Sequence, residues 1–339
     1  MRTTLKQIAE ATHLSVTTVS QVLNNADCRV SKENRQLILD TAERMHYRRN
    51  RMALGLVKGS TNTIGLAISD IRNNFFASLA RGVEDECKKN DWNVILCNSN
   101  DSHETDMVNL RMLADAGASG VVFGMAAEST AEMAQECITF LKKAHIPYLL
   151  ADRYIDTDMG GIVSVDHVKG GYLATHYLLS RGLRRIACIT GPGNLIDSQQ
   201  RLEGYRRALG EYGIPFRAEL LYDGKYTFES GVLAAERILR MPDRPDAVFA
   251  FNDMMAIGAM KRIKEQGLHV PEDISVIGYD DIFMDSFLEV PLTTIRQPAE
   301  QMGRKAAEML IRGEIRYKDN RERVLFDPVL IERASVAAR

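Results

Sequence analysis

Short apolar segments alternate with longer helical stretches over most of this 339-residue chain. Two series of such segments predict strands, at 64–69, 94–97, 121–123, 148–151 and 162–165, and then at 186–190, 220–222, 247–251 and 275–278. Strands that alternate with helices form parallel sheets through right-handed crossovers, with helices flanking both faces. The pattern therefore predicts an α/β core of two lobes, with a ligand cleft where the carboxyl ends of their strands face each other.

The first 47 residues follow a different pattern, that of three short helices. Thr4, Ser15 and Ser31 each stand just before a helical run, where a hydroxyl can cap the first turn. Each run has apolar residues at helical spacing: Leu5, Ile8 and Ala9; Val19, Val22 and Leu23; and Leu37, Ile38, Thr41, Ala42 and Met45. This arrangement is typical of a helix-turn-helix domain, in which Val16, Thr17 and Gln21 would face the major groove.

Charge is divided unevenly along the chain. Residues 1–59 contain 10 lysines and arginines against 5 aspartates and glutamates, whereas the remaining residues contain 33 against 40. The excess of positive charge therefore lies in the helix-turn-helix segment, where contacts with phosphate would be made. A solvated three-helix bundle without a DNA role is the alternative interpretation.

The sequence lacks the signatures of several other protein classes. No apolar run reaches the length of a membrane span and no signal-peptide core is present, so we expect a cytoplasmic location without membrane contact. The five cysteines are widely spaced and form no Cys-X-X-Cys pair, which predicts reduced thiols. There is no metal-ligand spacing, nucleophile elbow, Walker loop or dinucleotide fingerprint. We therefore expect no enzymatic activity, no bound metal and no cofactor.

Polar side chains recur where the predicted strands end. Amides, carboxylates and guanidiniums occur there beside two aromatic rings, and such groups can bind vicinal hydroxyls and the apolar face of a sugar ring. The carboxylates of Asp152 and Asp280 offset the guanidiniums of Arg153 and Arg201. Because a phosphate or carboxylate ligand would favour excess positive charge, the balance predicts a neutral monosaccharide. Taken singly, each residue is also explained as a helix cap or a surface ion pair.

Several short motifs resemble the LacI/GalR family of transcription regulators, over essentially the whole chain. They are Thr18-Val19-Ser20 with Leu23-Asn24, Val30-Ser31, Tyr47 with Asn50, Gly278-Tyr279-Asp280-Asp281, and Leu292-Thr293-Thr294-Ile295. The resemblance implies a helix-turn-helix domain at 1–47, a hinge at 48–59 and a periplasmic-binding-protein-like core at 60–339. The N-terminal lobe of that core would comprise about 60–165 and 297–326, and the C-terminal lobe about 166–296 and 327–339.

The resemblance also implies how the chain contacts DNA. Family members fold a short hinge helix on the operator, where a leucine of each subunit wedges into the minor groove, and Leu56 occupies that position. Arg49 replaces the usual proline, and Gly55 weakens an isolated helix by about 1 kcal/mol. The implied DNA-binding residues are Thr4, Ser15, Val16, Thr17, Thr18, Ser20, Gln21, Asn24, Asn50, Leu54 and Leu56. A plain basic linker is the alternative for residues 48–59.

One position of the second helix departs from the family pattern. Gln21 stands where the family commonly has arginine. Arginine suits the O6 and N7 of guanine, whereas glutamine suits the N6 and N7 of adenine. We therefore expect the operator to differ from the usual family sequence at that base.

The core additionally resembles periplasmic ribose-binding proteins, and the sugar contacts of those proteins carry over at nine positions. These are Asn73, Phe75, Phe76, Asp152, Arg153, Arg201, Asn252, Asp280 and Gln297. The agreement implies a ribose-like sugar as effector. A purine or a sugar phosphate is the alternative effector, and a sugar-binding receptor without DNA function is the alternative class of protein.

A repressor that binds double-stranded operator DNA as a homodimer is the expected function. Two helix-turn-helix domains related by a two-fold axis match an inverted-repeat operator. The last strand-like segment spans 324–331, and no leucine-heptad tail of the tetrameric relatives follows it. We expect the sugar to close the two lobes and thereby separate the hinge helices. Whether the sugar induces or corepresses is left open by the residues.

Overall fold

The computed structural model describes residues 3–24, 27–47, 61–154, 160–315 and 322–338. The chain divides into two compact units at Thr61, and each unit is described by itself. Among the described helices, none combines the length and apolarity that a membrane span requires.

The N-terminal unit contains three helices, α1 (Leu5–Thr12), α2 (Val16–Leu23) and α3 (Lys32–Arg44). The predicted caps are confirmed, because Thr4, Ser15 and Ser31 each accept a hydrogen bond from a backbone N–H of the following first turn. Thr4 also forms a reciprocal capping box with Gln7. The helices therefore begin where their hydroxyl residues satisfy the unpaired N–H groups.

The core of this unit is formed by one apolar stripe from each helix. The buried apolar side chains are those of Ile8, Ala9, Val19, Val22, Leu23, Ile38 and Ala42. The prediction was wrong for Leu37, whose side chain is 44% exposed. The buried stripe of α3 runs through Ile38, Thr41 and Ala42, and Leu37 lies beside that stripe on the solvent side.

The second unit alternates strands and helices, as predicted. Its strands are β1 (Thr63–Ile68), β2 (Asn93–Asn98), β3 (Gly120–Phe123), β4 (Tyr148–Ala151), β5 (Gly161–Val165), β6 (Ile186–Thr190), β7 (Leu221–Asp223), β8 (Ala247–Ala250), β9 (Ser275–Ile277), β10 (Thr294–Arg296), β11 (Arg323–Phe326) and β12 (Val329–Ile331). Its helices are α4 (Asn74–Lys89), α5 (His103–Asp115), α6 (Ala131–Lys143), α7 (His167–Ser180), α8 (Ile196–Glu211), α9 (Phe228–Leu239), α10 (Asp253–Glu265) and α11 (Ala299–Ile311). Short 3-10 turns cover Ala218–Leu220 and Phe283–Ser286.

Two parallel sheets form the centres of the two lobes. The first has the strand order β11-β5-β4-β3-β1-β2 and the second the order β7-β6-β8-β9. Apolar clusters cover both faces of the first sheet, and a third cluster surrounds the second sheet. Helices on both faces exclude water from these sheets, which explains why their strands are almost continuously apolar.

The chain passes between the lobes after β5, after β10 and after β11. β10 pairs antiparallel with β12 in a separate two-stranded sheet, with Ile295 opposite Leu330. The prediction of one strand-like segment over 324–331 was wrong, because β11 belongs to the first lobe and β12 pairs with β10. Asp327 and Pro328 separate the two strands, and proline cannot donate to a strand ladder.

Candidate functional site

A small cavity lies at the strand ends where the two lobes meet. Its lining residues are Asn73, Phe75, Asp152, Arg153, Asp197, Arg201, Tyr226, Asn252, Asp280 and Gln297. Eight of the nine residues that the resemblance implies are thus brought together around one cavity. The ninth, Phe76, is fully buried behind Arg153, whose guanidinium lies 5.1 Å from the centre of the Phe76 ring.

The cavity has a volume of about 10 Å³. This is room for roughly one water molecule, and far less than the several hundred cubic ångströms of a typical ligand pocket. The side chains therefore almost fill the space between the lobes. A ligand of sugar size has to be accommodated by separation of the lobes or by movement of the lining side chains.

Asn73 and Asp152 approach the cavity from the ends of elements in the first lobe. Asn73 precedes α4 and caps it, because its side-chain oxygen accepts a hydrogen bond from the N–H of Phe75 at 3.1 Å. Asp152 follows β4 with a φ of 61°, in the left-handed region that aspartate tolerates better than most residues. A sharp turn at the strand end thus directs the Asp152 carboxyl group into the cavity.

Arg153 is a buried cation with a partner in its own lobe. One of its guanidinium nitrogens donates to Ser69 Oγ at 2.8 Å and to Asp101 Oδ1 at 2.6 Å. Burial alone would lower its pKa, but the charges of Asp101 and Asp197 outweigh burial and raise it. The guanidinium is therefore held in place and remains charged.

Arg201 supplies the corresponding cation from the second lobe. It projects from α8 and donates to the carbonyl oxygen of Phe251, while its guanidinium carbon lies 3.9 Å from the centre of the Tyr279 ring. Burial opposes its charge, but the nearby hydroxyls of Tyr226 and Tyr279 and the carboxylate of Asp197 raise its pKa. The two cations of the site are thus both fixed by protein contacts.

Asn252 connects the site to the start of α10. Its side-chain oxygen accepts from the N–H of Met255 at 3.0 Å, and its side-chain nitrogen donates to the carbonyl oxygen of Tyr226 at 2.9 Å. Asn252 therefore caps α10 and also lines the cavity, so both interpretations of this residue agree with its position.

Asp280 and Gln297 are paired where the chain passes between the lobes. Gln297 Nε2 donates to Asp280 Oδ1 at 2.6 Å. Asp280 has a φ of 130°, which is strained for a residue with a Cβ atom, and its N–H bonds to the carbonyl oxygen of Ile295. Burial, together with the charge of Asp253, raises the pKa of Asp280 well above its usual value and favours the neutral carboxyl.

The sequence interpretation missed two lining residues, Asp197 and Tyr226. Asp197 lies four residues before Arg201, on the same face of α8, and this spacing is the signal that could have identified it. Tyr226 follows β7 by three residues, and its aromatic ring offers no signal that distinguishes it from a core residue.

With Asp280 neutral, the charges of Asp152 and Asp197 offset those of Arg153 and Arg201, so the charge of the cavity lining remains balanced.

The N-terminal unit exposes a polar face at the start of α2. Ser15, Val16, Thr17 and Gln21 are exposed, whereas Thr18, Ser20 and Asn24 are partly buried. Several predicted DNA-binding groups already form local bonds: Ser15 Oγ lies 2.8 Å from Thr18 Oγ1, and Asn24 donates to Ser20 Oγ. Thr4 is held in the capping box of α1. The predicted residues Asn50, Leu54 and Leu56 lie outside the described residues.

Two segments match known sequence families. Residues 4–50 match the family described as bacterial regulatory proteins, lacI family. Residues 175–336 match the family described as periplasmic binding protein-like domain. The chain is also 35% identical to the HTH-type transcriptional repressor PurR of Vibrio atlanticus, over 98% of both chains.

Solved structures resemble the chain over most of its length. The lac repressor dimer bound to operator and the anti-inducer ONPF aligns with a TM-score of 0.87 at 26% identity, covering 100% of both chains. A lacI-family transcriptional regulator from Enterococcus faecium with bound ribose aligns with a TM-score of 0.71 at 31% identity. That alignment covers 82% of this chain and 99% of the Enterococcus chain.

Proposed function

Because this chain belongs to the lacI family and is a DNA-binding transcriptional repressor, we propose that a small neutral sugar of the ribose type controls its affinity for the operator. The sugar binds in the cavity between the lobes, and the proposed binding residues are the nine named above together with Asp197 and Tyr226. Sugar and operator then influence each other through a single linked equilibrium.

Buried acceptor atoms without donors carry this proposal. Within the described residues, the oxygens Asp197 Oδ1 and Gln297 Oε1 are buried at this cavity and lack a hydrogen-bond donor, and Asp152 Oδ1 has only a misaligned contact with His167 Nε2 at 3.3 Å. A buried acceptor left unpaired costs about 1–3 kcal/mol. A ligand that donates a hydrogen bond to each of the three oxygens removes this cost. A polyol offers several O–H donors on one small frame, which suits this set.

The pairing of the charges supports a neutral ligand. Arg153 is bonded to Asp101, and Arg201 lies 3.8 Å from Asp197. Neither guanidinium is left to neutralise a phosphate, and the unpaired acceptors would repel one. The ribose bound to the Enterococcus relative is consistent with the same class of ligand.

A purine is the second candidate effector. The relatives that match over the whole chain at 34–35% identity are named PurR. Phe75 and Tyr226 both line the cavity and could stack on a flat heterocycle. Hypoxanthine has only two N–H donors and would leave at least one of the three acceptors unpaired, whereas a pentose has four O–H donors.

We also propose that the repressor acts as a homodimer on an inverted-repeat operator in the cytoplasm, with residues 48–59 as the hinge. An apolar surface that supports self-association lies on the second lobe. Phe283 and Phe287 are 80% and 71% exposed and lie 4.8 Å apart, ring centre to ring centre. Exposed aromatic clusters of this kind mark protein interfaces. A monomeric Phe283→Ser/Phe287→Ser variant, measured by sedimentation against a dimeric wild type, would support this surface, and an unchanged dimer would exclude it.

Thermal-shift screening combined with an operator-binding assay tests the effector class. The panel contains D-ribose, other pentoses, hexoses, their phosphates, adenine, guanine and hypoxanthine. A specific ligand raises the unfolding temperature in proportion to its occupancy, and an effector must also change operator affinity. Response to a free sugar supports the proposal. Response to purines or sugar phosphates alone would overturn it.

A further inference from the structure

His167 lies at the centre of the passage between the two lobes. It is the first residue of α7, directly after the connection from β5, and its side chain is fully buried. It does not line the cavity, and it belongs to neither the nine residues implied by the resemblance nor the two added by the structure. Its imidazole nevertheless contacts cavity residues from both lobes.

The two ring nitrogens face different groups. Nε2 lies 3.3 Å from Asp152 Oδ1 and 3.4 Å from Ser164 Oγ, both on the side of the first lobe. Nδ1 lies 3.2 Å from the hydroxyl of Tyr279, and 3.4 Å from two guanidinium nitrogens of Arg201, on the side of the second lobe. The imidazole therefore bridges the two lobes behind the cavity.

The surrounding hydrogen bonds define the tautomer. The guanidinium of Arg201 has N–H donors only, so Nδ1 must accept. The ring proton then resides on Nε2, facing the acceptor Asp152 Oδ1. This tautomer is assigned from the network of partners. A neutral imidazole thus stands between a carboxylate and a guanidinium, and presents a compatible atom to each.

Close backbone contacts hold this bridge in place. A Cβ atom on Gly170 would fall 2.1 Å from the hydroxyl oxygen of Tyr279, and one on Gly171 would fall 2.1 Å from the carbonyl oxygen of Arg201. Only glycine lets α7 approach both partners closely enough for His167 to reach them. The geometry of the bridge is therefore built into the packing of α7 against its neighbours.

We propose that His167 is a positioning residue for effector binding. It fixes the position of the Asp152 carboxylate relative to that of the Arg201 guanidinium, across the two lobes. The inference rests on the proposed function, because both groups are then ligands of the sugar. His167 acts through these two side chains, without touching the sugar itself.

Three variants of the full-length protein test the proposal, with D-ribose as the calorimetric probe. His167→Gln keeps one donor and one acceptor. His167→Leu removes both. His176→Gln is the matched control, because His176 lies on the same helix and stacks on Tyr172, outside the cavity lining.

We expect His176→Gln to bind ribose as wild type does. His167→Gln should bind ribose within a few-fold of wild type, because it restores a donor and an acceptor, whereas His167→Leu should bind ribose at least tenfold more weakly. If His167→Leu does not fold, His167→Asn decides, because its shorter side chain cannot reach both partners and should also lose at least tenfold in ribose affinity.

The outcomes separate this inference from the proposed function. Wild-type ribose affinity in His167→Leu would overturn the positioning role while leaving the sugar site intact. If wild type binds neither ribose nor any other sugar of the panel, the proposed function fails, and the role of His167 toward a sugar fails with it.

Discussion

Tyr226 donates its phenolic hydrogen to Asp197 Oδ2 across 2.5 Å, and both residues line the cavity between the lobes. The bond occupies one carboxylate oxygen and leaves the other, Asp197 Oδ1, without a donor. The pair therefore presents a single fixed acceptor to the cavity. This arrangement gives the first prediction.

Removal of the Tyr226 hydroxyl should destabilise the unliganded protein. Tyr226→Phe leaves both buried oxygens of Asp197 without a hydrogen-bond donor, with only the 3.8 Å contact of Arg201, at a cost of about 1–3 kcal/mol in the free energy of unfolding. Urea denaturation measures this difference, and saturating sugar should reduce it, because a ligand hydroxyl can replace the lost donor. Tyr222→Phe is the control, since its hydroxyl lies near Met241 and away from the cavity. Equal stability of Tyr226→Phe and wild type would contradict the prediction.

Loss of a charged or carboxyl group from the cavity should lower the affinity for the sugar without lowering the affinity for the operator. Arg153→Ala and Asp280→Ala each remove a cavity group and leave buried partners unpaired, at about 1–3 kcal/mol per group. Calorimetry should therefore show sugar affinity reduced roughly 5- to 150-fold, by the conversion of 1.4 kcal/mol per tenfold. Operator affinity without sugar should stay near that of wild type. Unchanged sugar affinity in both variants would exclude this cavity as the effector site.

A buried pair of carboxyl groups should make the stability depend on pH. Burial and the neighbouring Asp253 raise the pKa of Asp285 to about 10, and Asp285 has no hydrogen-bond donor to either oxygen. The folded protein therefore retains a proton that the unfolded chain releases near pH 4. The bound proton stabilises the folded protein in full below about pH 4. This stabilisation is lost as the pH rises from about 4 to about 10.

Asp285→Asn tests this dependence, because asparagine can donate to Asp253 without titrating. The variant should be more stable than wild type at pH 8. Its free energy of unfolding should lack the decrease with pH, of up to about 1.4 kcal/mol per pH unit, that we expect for wild type. Urea denaturation at several pH values measures both quantities. Asp273→Asn is the control, since Asp273 bonds to exposed His269 at the surface. A pH dependence that is the same in Asp285→Asn and wild type would show that Asp285 does not hold the proton.

The sequence predicted the elements well where their pattern was local. The caps at Thr4, Ser15 and Ser31, and nine of the ten strands of the two parallel sheets, follow from short-range spacing, and the structure confirms them. The segment 324–331 was interpreted as one strand, although a lobe boundary was expected at 326/327, because an extended chain that changes sheets keeps the appearance of one strand. His167 and Tyr226 were missed for a related reason: their neighbours in space are 34 and 29 residues away in sequence, at Arg201 and Asp197.

Base preference at one operator position should follow the side chain at residue 21. Gln21 is exposed on α2, and we propose that it contacts a base edge of the operator. Glutamine suits adenine and arginine suits guanine, with a bidentate contact worth about 1–3 kcal/mol. Gln21→Arg should therefore change the selected base at one symmetric position of each half-site in a randomised-operator experiment. Identical selected sequences for the two proteins would exclude this role for Gln21.

The hinge prediction concerns Leu56, which lies outside the described residues and is argued from sequence alone. If Leu56 wedges into the centre of the operator, Leu56→Ala should lose specific affinity and bend DNA less. Nonspecific binding should keep its salt dependence, because the change removes no phosphate contact. Gly55→Ala is the companion variant and should tighten operator binding by at most about 1 kcal/mol, since alanine favours the helix. Equal affinity and equal bending for Leu56→Ala and wild type would mean that residues 48–59 serve only as a linker.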